Sequence, residues 1–392
     1  MQDFIVFGAP QIGDDEVAEV LATMRSGWWG TGPKVAAFEA AFARYKGVAP
    51  QRAAAVNSCT AALHVSMLAA GLEPGDEVVT TPLTFCASVN AIIHAGLKPV
   101  LADVDPLRMT IDPDAVAAAI TPRTRAILPV HFAGRACDMD ALGAIAAKHG
   151  LRVIEDCAHA VETEFRGAKA GTIGDFGCFS FYVTKNVATG EGGMVLAREQ
   201  ADVERVKVLS LHGMSKDAWK RFSDSGYRHY DVVATGFKYN MMDLQAAIGL
   251  HQLERVESNW QRRAAIWAHY LERFADLPVD LPAPFDPDTR HGLHLFTLLV
   301  REARGGVSRD AFLDRMTAAR VGVGVHYMSV PEHTVYRTKF GWHPDQYPHA
   351  RDIGRATVSI PLSARLTDAE VERVVASVRA QWGASASGFR CP

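Results

Sequence analysis

The chain has 392 residues, 48% of them hydrophobic and 22% charged, with 41 Lys+Arg against 44 Asp+Glu for a formal net charge of −3. That balance excludes a generic electrostatic grip on nucleic acid, and no apolar run approaches the roughly 18 to 20 residues of a membrane span. The N-terminal residues lack a basic stretch leading into a long apolar one, so a cytoplasmic protein is expected, and the length predicts more than one domain.

In chain order, apolar and β-branched runs predict strands over residues 77–81, 99–103, 125–130, 152–156, 177–181 and 193–197. Helical patterns lie between most of them, over residues 60–70, 85–95, 113–120 and 139–149. Asp112-Pro113 supplies a capping side chain before a proline at the first helical position, and Gly150 stands where a helix should stop. Repeated β-α alternation of this kind predicts a largely parallel sheet covered by helices on both faces, an α/β class. The segment 216–231, rich in charge, Ser and Gly, reads as a loop.

After about residue 250 the rhythm changes. A long helix is expected from 241 to 256 and on to 274, leading into the proline-rich stretch 281–287. Beyond it come a strand (295–300), a helix (309–320), strands at 321–326 and 357–360, and a last helix opened by the capping box Thr367-Asp368-Ala369-Glu370. The predicted organisation is a large α/β domain over residues 1–250 and a smaller α+β domain over 251–392. The six cysteines are far apart with no C-x-x-C pair, which suits free thiols in a reducing compartment better than a disulfide scaffold or a zinc site, so no metal is expected.

Four segments carry candidate chemistry. Ala55-Val56-Asn57-Ser58-Cys59-Thr60-Ala61 places small and hydroxylated residues before an Ala-rich helix, where free N–H groups and the helix dipole suit an anion such as phosphate. Thr81-Pro82-Leu83-Thr84-Phe85 ends a strand with an aromatic able to stack on a planar ring or simply to join the core. Val153-Ile154-Glu155-Asp156 delivers Asp156 to the carboxyl end of a strand, where it either caps the next helix or holds a pyridinium nitrogen protonated. Phe179-Ser180-Phe181-Tyr182-Val183-Thr184-Lys185 runs an aromatic strand into a lysine and a glycine-rich turn. A desolvated lysine is a nucleophile toward carbonyls, whereas an isolated one is more often exposed.

The order of these four segments resembles fold-type I pyridoxal-phosphate enzymes. Further blocks are similar to the DegT-like family of sugar-nucleotide aminotransferases. They are Ser26-Gly27-Trp28-Trp29-Gly30-Thr31-Gly32 with Phe38-Glu39, Glu73-Pro74-Gly75-Asp76-Glu77-Val78, Ile120-Thr121-Pro122-Arg123-Thr124, His131-Phe132-Ala133-Gly134, Asp138-Met139-Asp140 and Tyr239-Asn240-Met241-Met242-Asp243-Leu244-Gln245. The resemblance implies a fold-type I transferase with pyridoxal 5'-phosphate as cofactor and pyridoxamine 5'-phosphate as its aminated form. Lys185 would be the catalytic Schiff-base lysine, Asp156 the partner of the ring nitrogen, Phe85 the stacking residue and His159 a neighbour of the ring. Thr60, Ala61 and Ser180 would bind the phosphate, and Asn240 would reach the phosphate of a neighbouring subunit, making a homodimer with active sites at the interface. Trp29, His326 and Tyr327 are substrate-contact candidates, as are the basic residues Lys216, Lys220, Arg221 and Arg228 for a pyrophosphate.

Three departures from the family pattern stand out: Cys59 where glycine is usual, His159 where glutamine is frequent, and Lys238 with Asn240 in place of Asn and Arg. The implied reaction is transfer of an amino group, with glutamate as donor, to a TDP- or UDP-linked 4-keto-6-deoxyhexose, giving an amino sugar nucleotide. A dehydratase of the same family would carry histidine in place of Lys185. A fold-type I enzyme acting on amino acids should lack the 131–134 and 138–140 blocks, and a cofactor-binding regulator should carry a DNA-binding appendage.

Overall fold

The computed structural model describes residues 3–215 and 230–383. The strands are β1 (Ala53–Val56), β2 (Glu77–Thr80), β3 (Lys98–Leu101), β4 (Thr124–Leu128), β5 (Arg152–Asp156), the short β6 (Glu164–Phe165) and β7 (Ala168–Lys169), β8 (Phe176–Ser180) and β9 (Gly193–Ala197). Four more follow: β10 (Val279–Asp280), β11 (Thr289–Arg290), β12 (Phe296–Val300) and β13 (Thr357–Ile360). The main sheet has the order β1-β9-β8-β5-β4-β2-β3. Its strands run parallel except β9, which is antiparallel to both β1 and β8.

Local chemistry fixes the helices. Ser58 Oγ accepts the Ala61 N–H at 3.1 Å to open the helix Cys59–Ala69. Asp112 caps Pro113–Ala119 through the Asp114 N–H, and Gly150 ends Met139–His149 in the left-handed region at φ 63°. The Thr367 capping box opens Asp368–Arg379 as expected. Buried Val56, Leu63, Val65, Val78, Leu128, Ile154, Phe176 and Val195 form the core on one face of the sheet. Phe38, Phe42, Phe179, Phe181 and Met194 form one against the helix Pro33–Tyr45.

A second antiparallel sheet, β10-β12-β13, packs its core from Trp267, Tyr270, Phe274, Phe296, Phe312, Val358 and Val374. Ile5 belongs to this second core, and its backbone bridges Val321. Two expectations need correction here. Residues 321–326 form no strand: only isolated bridges at Val321 and Gly324 are made, because each neighbour pairs at a single residue. The long helix from 241 divides into Asp243–Glu254 and Val256–Phe274, since Arg255 takes φ −95°, ψ 1° and turns the chain from the first core toward the second.

Candidate active site

β1, β2, β5 and β8 run in the same direction, so the segments that follow their carboxyl ends meet at one edge of the sheet. The anion-type helix start follows β1, the Phe85 segment follows β2, Asp156 ends β5, and the lysine turn follows β8. This is where open α/β sheets gather ligand-binding residues.

Lys185 lies in a turn closed by its own N–H on Tyr182 O at 2.8 Å. It is half-buried, and desolvation lowers its pKa to about 8, with Cys59 and then Asp156 pulling the other way. Asp156 is 4% exposed. Its carboxylate accepts Ser88 Oγ–H at 2.8 Å and the Ala158 N–H at 3.1 Å, and Ser88 is in turn 2.8 Å from Thr84 Oγ1. Burial still pushes the Asp156 pKa up, because among the described residues it makes no ion pair. A buried carboxylate without a cationic partner, close to a partly deprotonated lysine, fits the protonated ring nitrogen of a pyridine. Phe85 is 57% exposed at the start of the helix Cys86–His94 and offers an open ring face beside it. The phosphate end fits as well. Cys59 and Thr60 lead the helix Cys59–Ala69, where N–H groups have no intrahelical acceptor, and Gly193 lets this turn sit against β9. A Cβ on Gly193 would fall 2.5 Å from the Ser58 carbonyl carbon. Cys59 is accommodated because its Sγ turns away to Cys178 O at 3.6 Å. Ser180 is buried, its Oγ receiving the Tyr182 N–H at 3.4 Å.

An imidazole cluster covers this edge. His159 Nδ1 receives the Ala133 N–H at 3.2 Å, and its Nε2 lies 3.1 Å from the Tyr327 hydroxyl. His294 packs on the His159 ring at 4.4 Å between centroids and lies 3.0 Å from Asn186 Oδ1 through its Nδ1. The Asn186 amide donates to Glu162 Oε2 and Gly292 O, each at 2.9 Å, and Glu162 forms a buried ion pair with Arg263. His326 stacks on Phe7 and meets Ser359 Oγ at 2.9 Å. Burial first, then the Lys185 charge, depresses all three histidines, His326 to about 4, so they are neutral near pH 7.

The structure therefore brings Lys185, Asp156, Phe85, Ser180, His159, His326 and Tyr327 to one region, next to the Thr60-Ala61 helix start. Asn240 bridges Val56 beside that helix start, with its amide given to Thr31 Oγ1 at 2.7 Å in the same chain. Trp29 sits on the exposed side of its turn, its indole N–H donated to Met24 O. The basic residues Lys216, Lys220, Arg221 and Arg228 lie outside the described residues. Sequence reasoning missed Ser88, Asn186 and His294. The only available hint for His294 was its pairing with His291 immediately before the strand at 295–300.

Comparison with known proteins identifies the family. A sequence model of the DegT/DnrJ/EryC1/StrS aminotransferase family matches residues 10–379. The chain is 46% identical over 378 residues to the spore coat polysaccharide biosynthesis protein SpsC of Bacillus subtilis, covering 96% of each. Among solved structures it resembles a Streptococcus pneumoniae protein described as a sugar aminotransferase in its PLP-form. The TM-score is 0.88 at 31% identity, covering 96% of this chain and 98% of that one. The same protein is also solved in a PMP-form. Helicobacter pylori PseC, an aminotransferase involved in the biosynthesis of pseudoaminic acid, superposes with a TM-score of 0.89 at 26% identity, covering 97% of this chain and 100% of that one.

Proposed function

The chain belongs to the DegT/DnrJ/EryC1/StrS aminotransferase family and is a fold-type I, pyridoxal-phosphate-dependent sugar aminotransferase, and from that premise we propose that it aminates a nucleotide-linked keto sugar. The substrate in this reading is a TDP- or UDP-linked 4-keto-6-deoxyhexose, and glutamate is the amino donor. The observation that carries the reading is the meeting of Lys185, Asp156 and Phe85 at the carboxyl edge of the main sheet.

When bound, pyridoxal phosphate supplies an aldehyde and an electron-withdrawing ring, and it alternates with the pyridoxamine form. Lys185 would hold it covalently, and its amine, with a pKa near 8, is partly free at neutral pH to take a proton from the reacting carbon and return it. Asp156 would keep the ring nitrogen protonated, with Ser88 and the Ala158 N–H holding the carboxylate in place. Phe85 would cover one ring face. Thr60, Ala61 and Ser180 would bind the phosphate, and His159 would stand beside the ring. Trp29, His326 and Tyr327 are assigned to the sugar nucleotide.

We also propose a homodimer in which Asn240 serves the partner's phosphate. The helix Asp14–Ser26 supports an interface: Val17, Leu21 and Met24 are exposed at helical spacing, and Trp28, Trp29 and Met242 are exposed nearby in sequence or turn. The domain division is proposed at residues 250/251, with Ile5 crossing to the second core. A cytoplasmic location fits the five free cysteines among the described residues.

The test is a panel of TDP- and UDP-linked keto sugars with ¹⁵N-labelled glutamate, read by mass spectrometry and by NMR at the aminated carbon. The expected result is ¹⁵N at C4 of one sugar. If no member of the panel takes up label while the pure protein carries the cofactor, the substrate assignment is wrong.

A further inference from the structure

The segment from Tyr239 to Gln245 ties the Thr60-Ala61 helix start to two turns. At one end Tyr239 O accepts the Asn57 N–H at 2.6 Å, and Asn240 bridges Val56. At the other end the Gln245 amide donates to Glu191 O at 2.7 Å, in the glycine-rich turn after Lys185. Between them Asp243 holds the turn Trp28–Gly32.

Asp243 is 1% exposed and opens the helix Asp243–Glu254. Its carboxylate accepts three backbone N–H groups from far along the chain: Gly32 at 2.8 Å and Val35 at 3.0 Å on Oδ1, and Lys34 at 3.1 Å on Oδ2. The helix Pro33–Tyr45 has Gly32 at its N-cap and therefore no capping side chain of its own, so Asp243 caps it from a second helix. Two helix N-termini meet at one buried carboxylate, the charge that their dipoles favour. The Asp243 N–H closes the turn from the other side, shared between Trp29 O at 3.1 Å and Gly30 O at 2.9 Å.

The turn held in this way presents two indoles. Trp28 gives its N–H to Thr31 O at 3.1 Å and folds over Gly32, where a Cβ would fall 1.9 Å from the indole nitrogen. Trp29 gives its N–H to Met24 O at 3.0 Å. Thr31 Oγ1 donates to Met241 O at 2.6 Å and accepts from the Asn240 amide at 2.7 Å. Trp28 and Trp29 remain 44% and 52% exposed. With both N–H groups given to carbonyls of the same chain, what these side chains offer a ligand is a flat ring face.

We propose that Asp243 is a positioning residue for the sugar half reaction: it sets the Trp28–Gly32 turn, and with it the Trp29 ring face, against the segment that carries Asn240. Its carboxylate is buried and bound to the turn, so its effect on the reaction passes through Trp29. A loosened turn leaves Trp29 to be ordered at each binding event, a cost that falls on affinity for the sugar nucleotide and not on the chemistry at Lys185. This inference rests on the assignment of Trp29 to the sugar nucleotide, which Trp29→Ala tests by itself.

The experiment uses the cofactor-loaded enzyme with TDP- or UDP-4-keto-6-deoxyglucose and reads each half reaction in single turnover. In Asp243→Ala the sugar concentration for half-maximal rate should rise about 10-fold, with the glutamate half reaction retained. Asp243→Asn, whose Oδ1 can still take the Gly32 and Val35 N–H groups, should keep the rise to about 2-fold. Gly32→Ala, which drives Trp28 from its seat with the Asp243 carboxylate intact, should repeat the larger loss and serves where Asp243→Ala fails to fold. ¹⁹F NMR of 5-fluorotryptophan-labelled protein, with the Trp29 line assigned through Trp29→Phe, should show that line displaced or split in each impaired variant. A Trp29 line unmoved in the Asp243 variants, or two half reactions that fall together, overturns the proposal and leaves the substrate reading standing. An unchanged sugar dependence in Trp29→Ala overturns the assignment of Trp29 and this proposal with it.

Discussion

Replacing Lys185 by Met should make the cofactor-free protein more stable near pH 7. Burial lowers the lysine pKa from 10.5 to about 8, so below pH 8 the folded chain carries an ammonium that it solvates worse than the unfolded chain does. The drop, at about 1.4 kcal/mol per pH unit, costs about 3 kcal/mol. That drop is already net of the opposing pull of Asp156, so the gain on substitution is the same, about 3 kcal/mol. Between pH 8 and 10.5 the unfolded lysine still binds a proton that the folded one has released. Stability of the wild-type chain therefore rises with pH across that window through this group, and the rise vanishes in Lys185→Met. The assay is urea unfolding of hydroxylamine-stripped protein from pH 7 to 10.5, comparing midpoints and slopes. A variant less stable than wild type at pH 7, or with an unchanged alkaline slope, would refute the idea that desolvation in the site lowers the lysine pKa.

Two further outcomes are expected. Asp156→Ala should retain some cofactor yet lose most turnover, by about 100-fold or more in steady-state kinetics; near-normal rates would show that Asp156 does not serve the ring nitrogen. Inactive Lys185→Ala and Asn240→Ala proteins, unfolded and refolded together, should regain activity if each site draws Asn240 from the second subunit. An absence of rescue, with mixed dimers demonstrated by mass spectrometry, would return Asn240 to the intrachain role seen in its bond to Thr31.

How much of this could be read from the sequence depended on how local the cause was. β2, β5, β8 and β9 were legible because Val, Ile and Phe runs end in polar or glycine residues, and the helices at 113 and 139 because their caps are adjacent in sequence. β1 was not, since Ala53-Ala54-Ala55 has no strand preference of its own; it is a strand because it pairs in register with β9. The 321–326 run failed as a strand because its partners, Ile5 and Ser359, come from opposite ends of the chain. In the site, Lys185 and Asp156 could be found because each closes a recognisable strand. Asn186 and His294 are separated by 108 residues, and nothing in either neighbourhood announces the bond between them.

That distant bond also bears on why the cleft is furnished with histidines and not with lysines or arginines. Of the two groups that act on Lys185, Cys59 is held as a neutral thiol by burial, which leaves Asp156 as the carboxylate, and the surrounding imidazoles are neutral. A second cation there would depress the lysine further but would also compete with a pyridinium for Asp156. A second anion would repel the phosphate and raise the lysine out of its working range. Neutral rings avoid both effects while still making directed hydrogen bonds. The nearly balanced charge of the whole chain is matched by a cleft that keeps Lys185 and Asp156 at its centre, with the Glu162–Arg263 pair behind Asn186, and does the rest of its polar work with hydrogen bonds of fixed direction.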